Sequence, residues 1–509
     1  MRIRIQIVIV LLLWCYIIYR AFFISITQDE AHTYLLVKTN NWRQALGTTN
    51  THWLNSFFIK LFLLLPGPDR LWKIRMLPVL SWIVYSYSTI RLSSSFKSRW
   101  IGFVFFVVAI FNPFLIFYFS LARGYAPACA FIMLSLWLAT KYIRANDMTP
   151  RNWFPVFFAA SIATLFNFVT FYFFIGLVCA FLLQLLVNKK FNTIFHSHAR
   201  PLLFLISGTS IVTLGALFLI RSMDNLWFPG TRGIINSLFG SMIQTLSYFD
   251  NNSISFYRSY YKEGVSFLLN GEIQKTYQAI GFVIALLFAV AFSYSTYLFS
   301  RSKKLALGFL SLFLCLAIIL FNFLFHLLFK TPYLFERTTL ILFPPLVVGL
   351  FCFIDKMSKD LFWFKRTVNV LLSLVVVVFG FNYYKSFSLN YFPDWPVQTN
   401  TKECLDFLQA SHAKMVGINE WHYSVFINYY SRAYPNKYTF NCKVLSDKEQ
   451  LDSLNTSLLP GFDYLLLAPP YNDSVLSKNR GIKLNFPASG AKVLENDTSR
   501  NSSHNLYLK

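Results

Sequence analysis

Charged side chains are scarce in this 509-residue sequence: 13% of it is Asp, Glu, Lys or Arg, against 55% hydrophobic and 19% aromatic, and its mean hydropathy is +0.48. That balance excludes an ordinary soluble globular protein and places the chain in a membrane. Acidic residues are the scarcer sign, 22 against 46 Lys and Arg, for a net charge of +24. A nucleic-acid partner would need those cations gathered on one soluble face; here they fall in short groups between apolar runs, so topology explains them better. There is no P-loop or dinucleotide fingerprint, which leaves transport driven by bound ATP without support. Internal repeats and low-complexity tracts are absent too. The start MRIRIQIVIVLLLWCYIIYR is basic and then apolar, but no small-residue cleavage site follows, so it reads as a retained first span. Five of the seven cysteines (Cys15, Cys129, Cys179, Cys315 and Cys352) lie in apolar segments, where Cys behaves as a small hydrophobe. Cys404 and Cys442 lie in polar sequence, where an oxidising compartment would allow them to pair.

A helix crossing about 30 Å of hydrocarbon needs roughly 20 apolar residues. That rule predicts eleven spans, near 5–24, 71–90, 100–113, 124–140, 152–166, 169–187, 202–220, 278–299, 305–328, 338–354 and 367–386. The third runs into the Asn112-Pro113 break, and the fifth and sixth come from one long apolar stretch divided near Asn167. Segments 1–4, 91–99, 141–151, 188–200, 301–304 and 355–366 hold 18 Lys and Arg in 53 residues, whereas 25–70, 114–123, 221–275 and 330–337 hold 12 in 119. By the positive-inside rule the first set, with the N-terminus, is cytoplasmic. The long loop 221–275 and the C-terminal region then share the outer side of a plasma or inner membrane.

Composition shifts after Phe387. Residues 389–509 are polar, with helix-like stretches at 403–410 and 447–456 and strand-like ones in KMVGIN, KYTFNCKVL and DYLLLAPP. The pattern predicts a small extracytoplasmic α/β domain, long enough to fold by itself, beside a membrane domain over 1–388.

The residues that carry chemistry gather at the outer ends of the spans. TQDEAHTY places Asp29 and Glu30 directly after the first apolar run, and the following AHTYLLVKTNNWRQALGTTNTHWLNSFFIKLFLLL is amphipathic and interrupted by polar residues, as suits helices lying along the surface. Such helices would roof a cavity over the carboxylates. Solvated acids that merely end a span are the plainer alternative. Together with a histidine in the setting THWLNSFF, then FNPFLIFYFSLARGYAPACAFIMLSLWLATKYI and TPYLFERTTLILFPPLVVGL, the arrangement resembles the GT-C superfamily of polyprenyl-phosphate-dependent glycosyltransferases, in the branch of protein O-mannosyltransferases and lipid A aminoarabinose transferases. The resemblance runs from residue 1 to about 390.

It implies an α-helical polytopic GT-C-like bundle and an inverting transferase that moves a sugar from a polyprenyl-phosphate donor to a lipid, glycan or protein hydroxyl on the outer face. Transfer to a hydroxyl needs a proton acceptor and cations for the departing phosphate. The resemblance assigns the first task to Asp29, with Glu30 positioning the acceptor or holding Asp29. It assigns phosphate binding to Arg123, Lys330 and Arg337, with Tyr125 beside them. It sets His52 near the donor phosphate or a divalent metal, a cofactor the family pattern allows. His32 stands where the family carries a basic residue, and Gly124 and Tyr125 stand where it usually carries a second acid. Arg123 as a snorkelling cation and His52 as a hydrogen-bonding surface residue are the plainer readings. Asp224, Arg232, Asp250, Arg258 and Glu263 add polar candidates in the long loop, among interfacial aromatics. A flippase of lipid-linked sugars and a non-catalytic assembly subunit are the competing classes. A transporter, however, places its polar groups near the bilayer midplane, and here they collect at one edge.

Overall fold

The computed structural model describes residues 2–47, 52–189, 199–223, 236–246, 271–329, 333–334, 336–360, 362–389, 400–419, 422–434, 436–445, 462–467, 482–485 and 492–495. Helix α1 (Arg2–Phe23) is followed by three shorter helices, α2 (Gln28–Lys38), α3 (Trp42–Gly47) and α4 (Trp53–Leu63), in the segment read above as surface-lying. The bundle continues with α5 (Leu71–Ser93), α6 (Arg99–Ile110), α7 (Pro113–Phe119), α8 (Tyr125–Arg144), α9 (Pro150–Phe166), α10 (Phe171–Val187) and α11 (Arg200–Met223). After the short α12 (Ser241–Leu246) come α13 (Gly271–Ser302), α14 (Leu307–Phe329), α15 (Phe343–Asp360) and α16 (Phe362–Ser386).

Each of the eleven expected spans coincides with a helix or, for the third, a helix pair. Among the described residues eight helices are long and apolar enough to cross a membrane, and the pair α6–α7 counts as a ninth. The remaining two differ for physical reasons. Helix α5 has 23 residues but carries Lys73, Arg75 and Arg91, and α9 has only 17. The pair α6–α7 bends by 58° at Asn112-Pro113. There Asn112 caps the new helix by accepting from the Leu115 N–H at 3.0 Å, and Pro113 occupies its first position. The Tyr85 hydroxyl donates to the Ala109 carbonyl at 2.8 Å, so the break is satisfied from within the protein. Asn167 ends α9 and accepts from the Val169 N–H at 3.2 Å, which divides the long apolar stretch where expected.

The C-terminal region is a five-stranded sheet with helices. Its strands are β1 (Met415–Ile418), β2 (Asn441–Val444), β3 (Tyr464–Leu467), β4 (Ile482–Asn485) and β5 (Lys492–Glu495), in the order β2-β1-β3-β5-β4. Strand β1 pairs in parallel with β2 and β3, while β5 runs antiparallel to β3 and β4. The helix α17 (Thr401–Ala410) precedes β1, and α18 (His422–Ala433) makes the β1-to-β2 crossover. The strands in KMVGIN, KYTFNCKVL and DYLLLAPP are present, whereas α18, β4 and β5 are additions. The helix expected at 447–456 lies outside the described residues. Cys404 and Cys442 are both free thiols.

Candidate active site

The site begins with a helix start. Thr27 is the N-cap of α2: the Glu30 N–H donates to its hydroxyl at 3.4 Å, and the Thr27 N–H donates back to Glu30 Oε2 at 2.9 Å. This capping box fixes where α2 begins. It also puts Asp29 in the first turn, where the helix dipole favours a carboxylate.

Glu30 is fully buried and used on every side. Arg75 Nε and Nη2 donate to its two oxygens at 2.8 and 2.7 Å, and the Ala122 N–H donates to Oε1 at 2.6 Å. Burial alone would push its carboxyl up, but the charge and hydrogen bonds of Arg75, with the N–H groups of Ala122 and Thr27, outweigh that and hold it below the usual range. Arg75 also donates to the carbonyls of Ala21, Ile24 and Ser25. One guanidinium thereby joins the end of α1, the start of α2 and, through Glu30, the loop 120–124. The Glu30 oxygens are thus taken by Arg75, Ala122 and Thr27. Arg75 was hidden in the sequence inside a predicted span, although an ionisable residue at such a position is itself a signal.

The loop pinned by Glu30 carries Arg123. Its Nη2 lies 3.2 Å from Asp29 Oδ2, and Arg337 Nη1 approaches the same oxygen at 3.7 Å from the 3-10 helix Glu336–Leu342. Asp29 and Arg123 are buried, and Arg337 is half-buried. Asp29 Oδ2 accepts no hydrogen bond from the protein, so both contacts are ionic. Residues 29, 123 and 337, far apart in sequence, therefore converge on one oxygen.

His52 and Tyr125 complete this wall. Their rings meet edge to face at 4.9 Å, and the Arg123 guanidinium lies 5.8 Å from the Tyr125 ring. Burial first, then the charges of Arg123 and Arg337, drive the His52 imidazole well below its ordinary pKa, against a hydrogen bond to the Phe166 carbonyl. His52 is therefore neutral. His32, on α2, is lowered too, by burial, with Asp29 raising it and Arg123 lowering it. Gly124 has no room for the acid expected from the resemblance: a Cβ there would meet the Phe166 carbonyl oxygen at 2.0 Å and the His52 ring at 2.8 Å. Lys330 and the loop candidates Asp224, Arg232, Asp250, Arg258 and Glu263 lie outside the described residues.

A divalent metal does not fit the described residues of this wall. Among the described residues no three His, Cys, Asp or Glu side chains converge, and a cation at His52 would stand in the field of Arg123 and Arg337.

Fold and site together define a polytopic membrane protein with an acid and two arginines at one end of the bundle. The architecture is ArnT-like. The crystal structure of ArnT from Cupriavidus metallidurans bound to undecaprenyl phosphate matches with a TM-score of 0.50 and 11% identity, over 98% of this chain and 99% of that one. ArnT from the same organism in the apo state matches at a TM-score of 0.45 and 10% identity, over 98% of each chain. At such identities the likeness is one of fold. No family model and no curated protein matches the sequence.

Proposed function

We propose that the protein is an integral membrane glycosyltransferase that takes a sugar from a polyprenyl-phosphate donor and passes it to a lipid, glycan or protein hydroxyl on the extracytoplasmic face, with the N-terminus cytoplasmic. The observation that carries this reading is the convergence of Asp29, Arg123 and Arg337 on one buried oxygen. In the ground state two guanidinium groups pair with Asp29. When a donor phosphate enters, the same guanidinium groups have a stronger anion to bind and turn to it through charge-assisted hydrogen bonds. Asp29 Oδ2, which no protein group hydrogen-bonds, then takes the proton of the attacking hydroxyl. The hydroxyl oxygen forms its bond to the anomeric carbon as the bond to the phosphate oxygen breaks. Arg123 and Arg337 hold the phosphate as negative charge develops on it. Displacement in one step inverts the anomeric carbon. The undecaprenyl phosphate bound to ArnT in a structure of like fold supports a polyprenyl-phosphate partner here.

The test supplies labelled polyprenyl-phosphate sugars and membrane extract to purified wild type and to Asp29→Asn. Removing a general base lowers transfer by about 10²-fold or more, with donor binding retained. Transfer undiminished in Asp29→Asn removes the base, and translocation of lipid without transfer favours a flippase.

A further inference from the structure

Three buried polar atoms on one face of α4 take no part in the steps above. His52 is the N-cap, and Asn55 and Ser56 follow at the third and fourth positions beyond it, so the three share a face. They are 6%, 1% and 0% exposed, yet among the described residues His52 Nε2, Asn55 Oδ1 and Ser56 Oγ have no hydrogen-bond partner. Buried polar atoms are nearly always paired, and three exceptions on one helical turn call for a reason. Ser56 shares this state with Ser311 of α14, whereas Ser81, Ser86, Ser88 and Thr89 of α5, Thr140 of α8 and Thr164 of α9 each donate to a carbonyl about one turn back. The face borders the reaction site. Asn55 Nδ2 donates at 2.9 Å to the carbonyl of Ala122, the residue before Arg123, and His52 stands against Tyr125.

The chemistry of these atoms selects their ligand. The Phe166 carbonyl takes the proton of His52, so Nε2 of the neutral ring offers a lone pair. Asn55 has its amide nitrogen committed to Ala122, so Oδ1 offers another. A phosphate brings acceptor oxygens and would oppose both. A metal ion or an ammonium would face Arg123 and Arg337. Neutral O–H groups remain, and Ser56 both gives and takes a hydrogen bond. Resting on the glycosyltransferase reading, we propose that the first turn of α4 is the pocket that reads the hydroxyls of the transferred sugar, with His52, Asn55 and Ser56 as specificity-determining residues. A sugar tethered to a phosphate at Arg123 is carried to this turn by its own covalent bond.

The probes are undecaprenyl phosphate and a panel of undecaprenyl phosphates carrying a hexose, a pentose or an amino sugar, titrated against the full chain in nanodiscs. Wild type should bind at least one sugar-bearing lipid more tightly than the bare one. Ser56→Ala, which removes a single oxygen, and His52→Phe, which keeps the ring contact with Tyr125, should each weaken that complex about fivefold, as for one lost hydrogen bond. Neither should change the affinity for bare undecaprenyl phosphate, whereas Arg123→Gln should lower both. An equal loss for the bare lipid, no loss for any sugar-bearing lipid, or a wild type blind to the sugar would each overturn the pocket. Failure of wild type to bind bare undecaprenyl phosphate is a different result: it strikes the glycosyltransferase reading itself, and the pocket with it.

Discussion

Adjacent in sequence, Asp29 and Glu30 have opposite fates because one turn of helix gives them different neighbours. Glu30 points back into the capping box and onto Arg75, where two fully buried charges meet at 2.7 Å. Breaking such a pair from one side leaves an uncompensated buried charge, at about 3 to 5 kcal/mol. Arg75→Ala should therefore lower the thermal midpoint by several degrees and reduce transfer as well, since the loop bearing Arg123 hangs on Glu30. A normal midpoint in Arg75→Ala would show that the pair is not holding the site. His52 gives a pH prediction. In the unfolded chain it titrates near its ordinary 6.5 and in the folded chain only well below, so the native state binds fewer protons in between. Its contribution to stability is full above about pH 6.5 and is lost as the pH falls beneath that value. His32 acts in the same sense. The thermal midpoint should fall from pH 7 to pH 5, and by less in His52→Phe; parallel curves would rule His52 out as the source. Asp29, Arg123 and Arg337 were legible in the sequence because each is a charge at the edge of an apolar run. Asn55 and Ser56 were not, because only coordinates reveal that a polar atom lacks a partner.

Helices were legible where apolar length alone decides them, as in α1, α13 and α14. The Asn112-Pro113 break was legible from proline's missing N–H. Less visible were elements whose role depends on a close approach. The α8 N-terminus touches the α9 C-terminus at Gly124, where a methyl group would meet a backbone oxygen that cannot rotate aside. Gly124→Ala should force the two helices apart, cost roughly 1 to 3 kcal/mol by overpacking, and displace His52 from Tyr125. The check is the thermal midpoint together with affinity for sugar-bearing donor. If neither moves, the approach of α8 to α9 is looser than described. The same contact explains why this chain has glycine where the family resemblance leads one to expect an acid: the space is already filled by the chain itself.

At the scale of the molecule, the composition change at 387 predicts a separate outer domain, but the packing ties that region to the site. One hydrophobic cluster runs from Ile26, Ala31, Tyr34 and Val37 through Ile59, Leu71 and Ile74 into Leu405, Leu408, Phe426, Tyr429 and Tyr430. Polar contacts cross the same boundary. The Ile26 N–H donates to the Tyr430 hydroxyl at 3.1 Å, and the Tyr429 hydroxyl donates at 3.1 Å to the carbonyl of Asp69, whose carboxylate takes the Tyr34 hydroxyl and Lys38. Sequence patterning finds elements one at a time, so a core assembled from residues as far as 404 apart was not legible in it. If α17 and α18 are the inner wall of the α2 segment, a chain ending at residue 388 should bare that cluster and yield little monodisperse protein, with no Asp29-dependent transfer. Tyr430→Phe should have a milder effect in the same direction, because the Ile26 N–H, three residues before Asp29, is left buried without its acceptor at about 1 to 3 kcal/mol. A truncated chain that is monodisperse and fully active would show that the outer region folds and works apart from the site, and would return the C-terminal sheet to the role of an appended domain.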